Sequence, residues 1–244
     1  MLEVCGVTKC YGSFVAIENV SLSVPDGTIY GLVGYNGAGK TTLLKTIAAV
    51  FIPDKGEVLV DGQNAHGKRV PERTPFIVAD EPYYLPQATP NMMRDYYIGY
   101  YPDWSDGTYR NLLSLFGLDG KAKVGGFSKG MQRQTALLLG LSTGARSLLL
   151  DESFDGLDLS KRILLKKLLR RYAKVRNASI ILSSHNLREL EDVADNLGMI
   201  EEHRLIFNES VSGLHEKHPG QSLEEIFLEE GKVNEHDLDR VFIW

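Results

Sequence analysis

Short apolar runs, punctuated by glycine, proline and small polar clusters, lay out the first half of this chain. Leu2-Glu3-Val4-Cys5-Gly6-Val7, Phe14-Val15-Ala16-Ile17 and Val20-Ser21-Leu22-Ser23-Val24 read as strands, followed by a turn at Pro25-Asp26-Gly27. Thr28-Ile29-Tyr30-Gly31-Leu32-Val33 reads as a buried strand, and Thr42-Leu43-Leu44-Lys45-Thr46-Ile47-Ala48 has helical spacing. Pro53-Asp54-Lys55-Gly56 turns the chain into the strand Glu57-Val58-Leu59-Val60, closed by Asp61-Gly62. Phe76-Ile77-Val78-Ala79 predicts another short buried strand. From Pro90 to about Gly117 the spacing is helical, broken at Tyr101-Pro102-Asp103-Trp104-Ser105-Asp106, where Ser105 or Asp106 can cap the second helix. Gly125-Gly126 marks a loop, and a helix is expected from Ser128 to about Leu141.

The second half repeats one theme. Ser147-Leu148-Leu149-Leu150-Asp151 and Ser179-Ile180-Ile181-Leu182-Ser183 are apolar strands on either side of a helix from about Leu159 to Val175. Strands buried on both faces and separated by helices imply a parallel α/β sheet. Leu197-Gly198-Met199-Ile200 and Arg204-Leu205-Ile206-Phe207 resemble strands, and Ser222 with Glu225 forms a capping box that opens an acidic helix. No internal repeat or low-complexity linker is visible.

Composition narrows the class. At 244 residues, one or two domains are expected, and 43% hydrophobic with 24% charged residues is ordinary for a globular protein. The net charge of −5 argues against a general nucleic-acid binder. The segment Met1-Leu2-Glu3-Val4 lacks the features of a signal peptide. No apolar run approaches the roughly 18 residues of a membrane span. Cys5 and Cys10 read as two free thiols, which fits a reducing cytoplasm.

The chemistry concentrates in Gly34-Tyr35-Asn36-Gly37-Ala38-Gly39-Lys40-Thr41-Thr42. Strand, glycine loop, helix is the arrangement of a phosphate-binding loop. Its glycines let several backbone N–H groups face one anion, and the helix N-terminus adds unpaired donors and partial positive charge. Lys40 is expected to bridge the β- and γ-phosphates and the Thr41 hydroxyl to ligate Mg²⁺. The strand ending in Asp151-Glu152 brings carboxylates to the edge where α/β sheets bind ligands: Asp151 for the metal, Glu152 to accept a proton from water. His185 follows another strand and can donate to a γ-phosphate.

Together these residues resemble the ATP-binding cassette ATPases, from Tyr11 to at least Leu228. The resemblance implies an α/β fold of the P-loop NTPase (RecA-like) type. Its parts would be a core with a parallel sheet, a small N-terminal antiparallel β region and a helical insertion near residues 88–127. Residues 1–230 would form one domain, followed by a tail at 231–244. It implies that Tyr11 stacks on adenine, and that Phe127-Ser128-Lys129-Gly130-Met131 stands for the family's signature sequence. Asp155-Gly156-Leu157-Asp158 would be the loop after the catalytic Glu152. Members of the family pair head to tail, so Ser128 and Gly130 of one subunit would complete the other's site. This reading is also physical: a helix N-terminus is a second anion site that one chain cannot bring to its own phosphate loop.

Departures from the family pattern are visible. Lys129 and Met131 replace signature residues, with Lys129 expected to point away from the ligand. Tyr35 stands in the phosphate loop, and Ser153 follows Glu152 where proline is usual. The glutamine that serves Mg²⁺ falls by spacing on Asp80, which is preferred here over the later Gln87. Aspartate also offers oxygen, but with charge and without an amide donor.

The resemblance implies ATP with Mg²⁺, a membrane transporter subunit on a separate chain, and a homodimer or a related ATPase subunit. The location expected is peripheral, on the cytoplasmic face of the membrane. No nucleic-acid partner is expected. Tyr83, Tyr84, Tyr96, Tyr97, Tyr100 and Tyr101 lie where transporter subunits dock, divided between docking and internal packing. The insertion and signature are similar to exporter-type cassettes. A soluble ATPase, such as one for iron–sulfur cluster assembly, is the alternative. The basic helix from Lys161 to Arg176 is read as a solvated face against a buried one. The acidic Glu224, Glu225, Glu229 and Glu230 are expected to lie near it, in the same chain or in a partner subunit.

Overall fold

The computed structural model describes residues 1–67 and 75–229. The expected tail at 231–244, and Glu230 before it, lie outside the described residues. Two sheets organise the rest. The first is four-stranded, with order β2-β1-β4-β5, and antiparallel. Its strands are β1 (Leu2–Tyr11), β2 (Phe14–Val24), β4 (Lys55–Val60) and β5 (Gln63–Asn64). The sequence pattern predicts two strands where β2 is one. The polar interruption at Glu18-Asn19 is absorbed by a bulge, with Asn19 at φ 49° and a register shift between Val7↔Val20 and Lys9↔Ile17.

The second sheet is six-stranded, with order β10-β9-β3-β8-β7-β6. It comprises β3 (Ile29–Val33), β6 (Phe76–Val78), β7 (Ser147–Leu150), β8 (Ser179–Ser184), β9 (Asn196–Glu201) and β10 (Arg204–Ser210). All its pairings are parallel except β9 with β10. Those two close through Glu202-His203, both at positive φ (44° and 68°), the geometry of a tight two-residue hairpin. Every residue of β3, β7 and β8 is buried, as the unbroken apolar runs predict. One core lies between the two sheets, around Leu22, Leu44, Val58 and Ile181. The other lies under the opposite face of the large sheet, around Leu137, Leu150, Leu165 and Leu182.

The helices are α1 (Lys40–Ile47), α2 (Pro90–Ile98), α3 (Asp106–Leu115), α4 (Lys129–Ser142), α5 (Leu159–Arg176), α6 (Leu187–Glu191), α7 (Val211–Lys217) and α8 (Leu223–Glu229). Ser105, not Asp106, caps α3 by accepting the Thr108 N–H at 3.1 Å. Thr89 caps α2 beside a proline in its first turn. The capping box of α8 forms reciprocally: Ser222 N–H donates to Glu225 at 2.7 Å, and Glu225 N–H donates to Ser222 at 3.3 Å. Sequence periodicity misses α6, α7 and β5, which are too short to carry a period. No helix among the described residues is long and apolar enough to cross a membrane.

Helix α5 buries Leu165, Leu169 and Ala173 against the large sheet. Three of its cations are paired with acids that the sequence pattern does not single out: Arg162–Glu189 at 2.7 Å, Lys166–Asp192 at 3.1 Å and Arg170–Asp195 at 2.6 Å. Of the acids expected near this helix, two have partners elsewhere in the chain. Glu224 binds Arg188 at 2.8 Å, and Glu225 is used by its own cap. Leu169→Ala should cost about 2–5 kcal/mol in urea unfolding. Leu159→Ser, at a position 74% exposed, should stay within about 0.5 kcal/mol.

Candidate functional site

Four strand ends of the large sheet converge on one cleft. The loop from β3 to α1 carries residues 34–39, and Gly39 adopts φ 110°. A Cβ there would come within 2.6 Å of Ile17 Cγ2, so glycine is required both for backbone conformation and for close approach to β2. Helix α1 begins at Lys40 with no side-chain cap, so its first N–H groups face the loop. The buried Lys40 ammonium donates to Gly34 O at 2.5 Å and Tyr35 O at 3.2 Å, and lies 3.1 Å from Glu152 Oε1.

Asp151 follows β7 and is fully buried. Thr41 Oγ1 donates to its Oδ2 at 2.7 Å, and Ser183 Oγ donates to its Oδ1 at 2.7 Å. Ser183 also accepts the Glu152 N–H at 3.1 Å. Glu152 sits at φ 44°, an unfavourable conformation for a non-glycine residue that turns its carboxylate back toward Lys40 and His185. His185 Nδ1 lies 3.0 Å from Glu152 Oε2. One ligand-type atom each from Glu152, Asp155 and His185 lies within 4.8 Å of the others.

The cleft has a volume of about 220 Å³. Of the residues singled out in the sequence, Tyr11, Tyr35, Asn36, Gly37, Gly39, Lys40, Thr41, Thr42, Asp80 and Glu152 line it. Gln87, the alternative to Asp80, is exposed and does not line it. Gly34 and Ala38 belong to the loop without lining the cleft. Tyr11 stands at the β1–β2 hairpin, edge-on to Phe51 with centroids 5.9 Å apart. Its cross-strand neighbour Phe14 lines the same cleft.

Sequence reasoning misses Phe14, Ser183 and Arg133. Phe14 sits directly opposite Tyr11, and Ser183 shares its strand end with His185, so both carried a positional signal. Arg133 carried none. Its buried guanidinium, projecting from α4, donates to Ala79 O at 2.8 Å, Asp80 Oδ1 at 2.6 Å and Asp151 O at 3.4 Å.

The donors around the cleft are hydroxyl and carboxylate oxygens, the set that suits a hard divalent cation such as Mg²⁺. A carboxylate with no cation against it, such as Asp151, would repel a polyphosphate without such a charge.

Ser128, Lys129, Gly130 and Met131 do not line the cleft. Ser128 caps α4 by accepting the Met131 N–H at 3.2 Å, and Lys129 is exposed. Gly130 packs on the loop at residues 155–158: a Cβ there would lie 2.8 Å from Gly156 O. Leu157 is buried in that loop, and Asp158 caps α5 through the Lys161 N–H at 3.0 Å.

The tyrosines divide by burial. Tyr84, Tyr97 and Tyr101 pack against the core, and burial raises the Tyr84 and Tyr97 hydroxyl pKa values and pushes Tyr101 up to about 12. Tyr84 donates to Gln132 O at 2.6 Å. Tyr83 and Tyr100 are 77% and 67% exposed. A groove of about 300 Å³, lined among others by Ile77, Pro82, Tyr83, Leu85 and Tyr96, opens beside them.

The ABC transporter family model matches residues 17–155. Over 212 residues the chain is 31% identical to the bacitracin transport ATP-binding protein BcrA of Bacillus licheniformis, covering 84% of this chain and 68% of that one. It is 29% identical over 229 residues to the lantibiotic transport ATP-binding protein SrtF of Streptococcus pyogenes, covering 93% and 96%. A solved ATP-binding subunit of an ABC transporter superposes with a TM-score of 0.84 at 25% identity, covering 94% and 98% of the two chains.

Ser183→Ala would leave Asp151 Oδ1 and the Glu152 N–H without their hydroxyl partner. It should cost about 1–3 kcal/mol in chemical denaturation, because both groups are withdrawn from water. An unchanged unfolding midpoint would remove Ser183 from the site's support.

Proposed function

The chain belongs to the ABC transporter family, and we propose that it is the ATP-binding and ATP-hydrolysing subunit of a membrane transporter. Two contacts between the phosphate loop and the carboxylate strand carry this reading: Thr41 to Asp151 at 2.7 Å and Lys40 to Glu152 at 3.1 Å. They bring phosphate-gripping and acid–base groups into one cleft.

Residues 34–42 cradle the triphosphate with backbone N–H groups, and Tyr11 meets the base. Thr41, Asp151 and Asp80 hold Mg²⁺, which neutralises phosphate charge when bound. Glu152 accepts the proton of the attacking water. Lys40 and His185 steady the γ-phosphate, with Glu152 orienting the imidazole through Nδ1. Residues 1–230 act as one cassette with its insertion at 88–127.

A second cassette, a copy of this chain or a related subunit, supplies Ser128 and Gly130 at the N-terminus of its α4. The loop at Asp155-Gly156-Leu157-Asp158 lies at the junction. The membrane subunit is a separate chain that docks on the tyrosine groove, with the cassette on the cytoplasmic face. Export is the direction proposed, supported by the Ser-Lys-Gly-Met signature and the aromatic insertion. The iron–sulfur assembly alternative is not favoured, since both relatives above are transport proteins.

Glu152→Gln should retain MgATP affinity while turnover falls at least about a hundredfold. Lys40→Ala should lose nucleotide binding by equilibrium titration. Turnover at the parent rate in Glu152→Gln would remove Glu152 from its role, and unchanged affinity in Lys40→Ala would end the reading of the site. Purified from its native membrane, the protein should bring down an integral membrane subunit. Tyr83→Glu with Tyr100→Glu should lose that subunit while keeping ATPase activity. A soluble assembly scaffold in its place would overturn the transport reading.

A further inference from the structure

The nucleotide cleft carries a charge problem that its own phosphate-binding residues do not solve. Asp80 lines it together with Lys40, Thr41 and Glu152. Its side chain is 51% exposed, so one oxygen can face a ligand. A carboxylate at the edge of a triphosphate site repels the phosphate that the site has to hold. Lys40 cannot offset this, because it already lies 3.1 Å from Glu152.

The compensating charge comes from another element. Arg133 projects from the second turn of α4, and its side chain is 7% exposed. Nη2 donates to Asp80 Oδ1 at 2.6 Å, while Nη1 donates to Ala79 O at 2.8 Å and Asp151 O at 3.4 Å. One planar group therefore grips the end of β6, the carboxylate that follows it and the end of β7. Guanidinium suits this task because its donors lie in a fixed fork and it stays charged. Only Oδ1 of Asp80 is engaged by the arginine, and the residue lines the cleft.

We propose that Arg133 is a positioning residue for the metal side of the nucleotide site: it fixes Asp80 by one oxygen and cancels its charge, so that the pair meets the nucleotide as a neutral oxygen donor. This inference rests on the proposed nucleotide reading of the cleft. It extends that reading to a residue on α4, the helix whose N-terminus carries Ser128.

A double-mutant cycle on MgATP affinity, read with a fluorescent ATP analogue in magnesium, tests it. Arg133→Gln leaves Asp80 uncompensated and should weaken binding about tenfold. Adding Asp80→Asn removes the stranded charge and should return affinity to within about threefold of the parent. The charge-retaining Arg133→Lys should stay within about threefold as well. A structural role alone would make the losses additive or leave the double variant worse than Arg133→Gln, and either result would overturn the proposal. If Arg133→Gln does not fold, Arg133→Lys decides: parent-like affinity supports the charge role and a tenfold loss overturns it. A parent chain without MgATP affinity would instead sink the nucleotide reading itself, so the two failures are distinguishable.

Discussion

A carboxylate withdrawn from water must have its lone pairs satisfied, and Asp151 meets that demand by joining three strand ends. Its two oxygens accept from Thr41, at the start of the helix after β3, and from Ser183, at the end of β8. Without those hydroxyls, the buried carboxylate would have no partner in exchange for its lost hydration. With them, the β3–α1 loop, the β7 end and the β8 end are set relative to one another by hydrogen bonds of 2.7 Å. Glu152 and His185 then need only short steps along the chain to meet, and Ser183 accepts the Glu152 N–H in the same network. The strained φ of Glu152 is held by this surround, as strain at a site must be.

Charge balance follows from the same geometry. Lys40 is buried between two carbonyls and one carboxylate, and Asp80 lies against a buried arginine. Each acid at the cleft other than Asp151 thus has a cation beside it, while Asp151 is held by neutral hydroxyls. That difference fits Asp151 to be the charged ligand of a divalent metal in the proposed function, since a neutral hydroxyl can turn its oxygen to a cation, with Asp80 beside it as the neutralised oxygen donor of its pair with Arg133.

What the sequence made legible was whatever depends on a local pattern. The strand–loop–helix around residues 29–47 is readable because glycine, lysine and threonine have to stand in fixed order for a backbone to curl there. The fully apolar β7 and β8 announce a covered parallel sheet. The preference for Asp80 over Gln87 follows from chain length after Lys40, and Asp80 is the one that reaches the cleft. Pairings between distant elements leave no such trace. Nothing in the chain order connects Arg133 with Asp80, or Arg162 with Glu189, because each partner belongs to a different element and only the fold brings them together. The same holds for Glu224, whose acidic neighbourhood suggests α5 but whose partner is Arg188 on α6.

Helix α4 is where these separate facts act on one another. Ser128 caps its N-terminus, Gln132 O receives the Tyr84 hydroxyl from the groove segment, and Arg133 holds Asp80 and the end of β7. Tyr84 and Asp80 belong to the same short segment after β6, so that segment is fastened to one helix at both places. A rigid helix moves as a unit, and a packed interface shifts between discrete arrangements rather than deforming gradually. In the proposed docking, a load on the tyrosine groove would have two physical connections to Asp80, along the segment and through α4. In the proposed pairing of cassettes, the same helix would present its N-terminus to the partner's nucleotide. Docking surface, metal side and partner contact would then all meet on one helix.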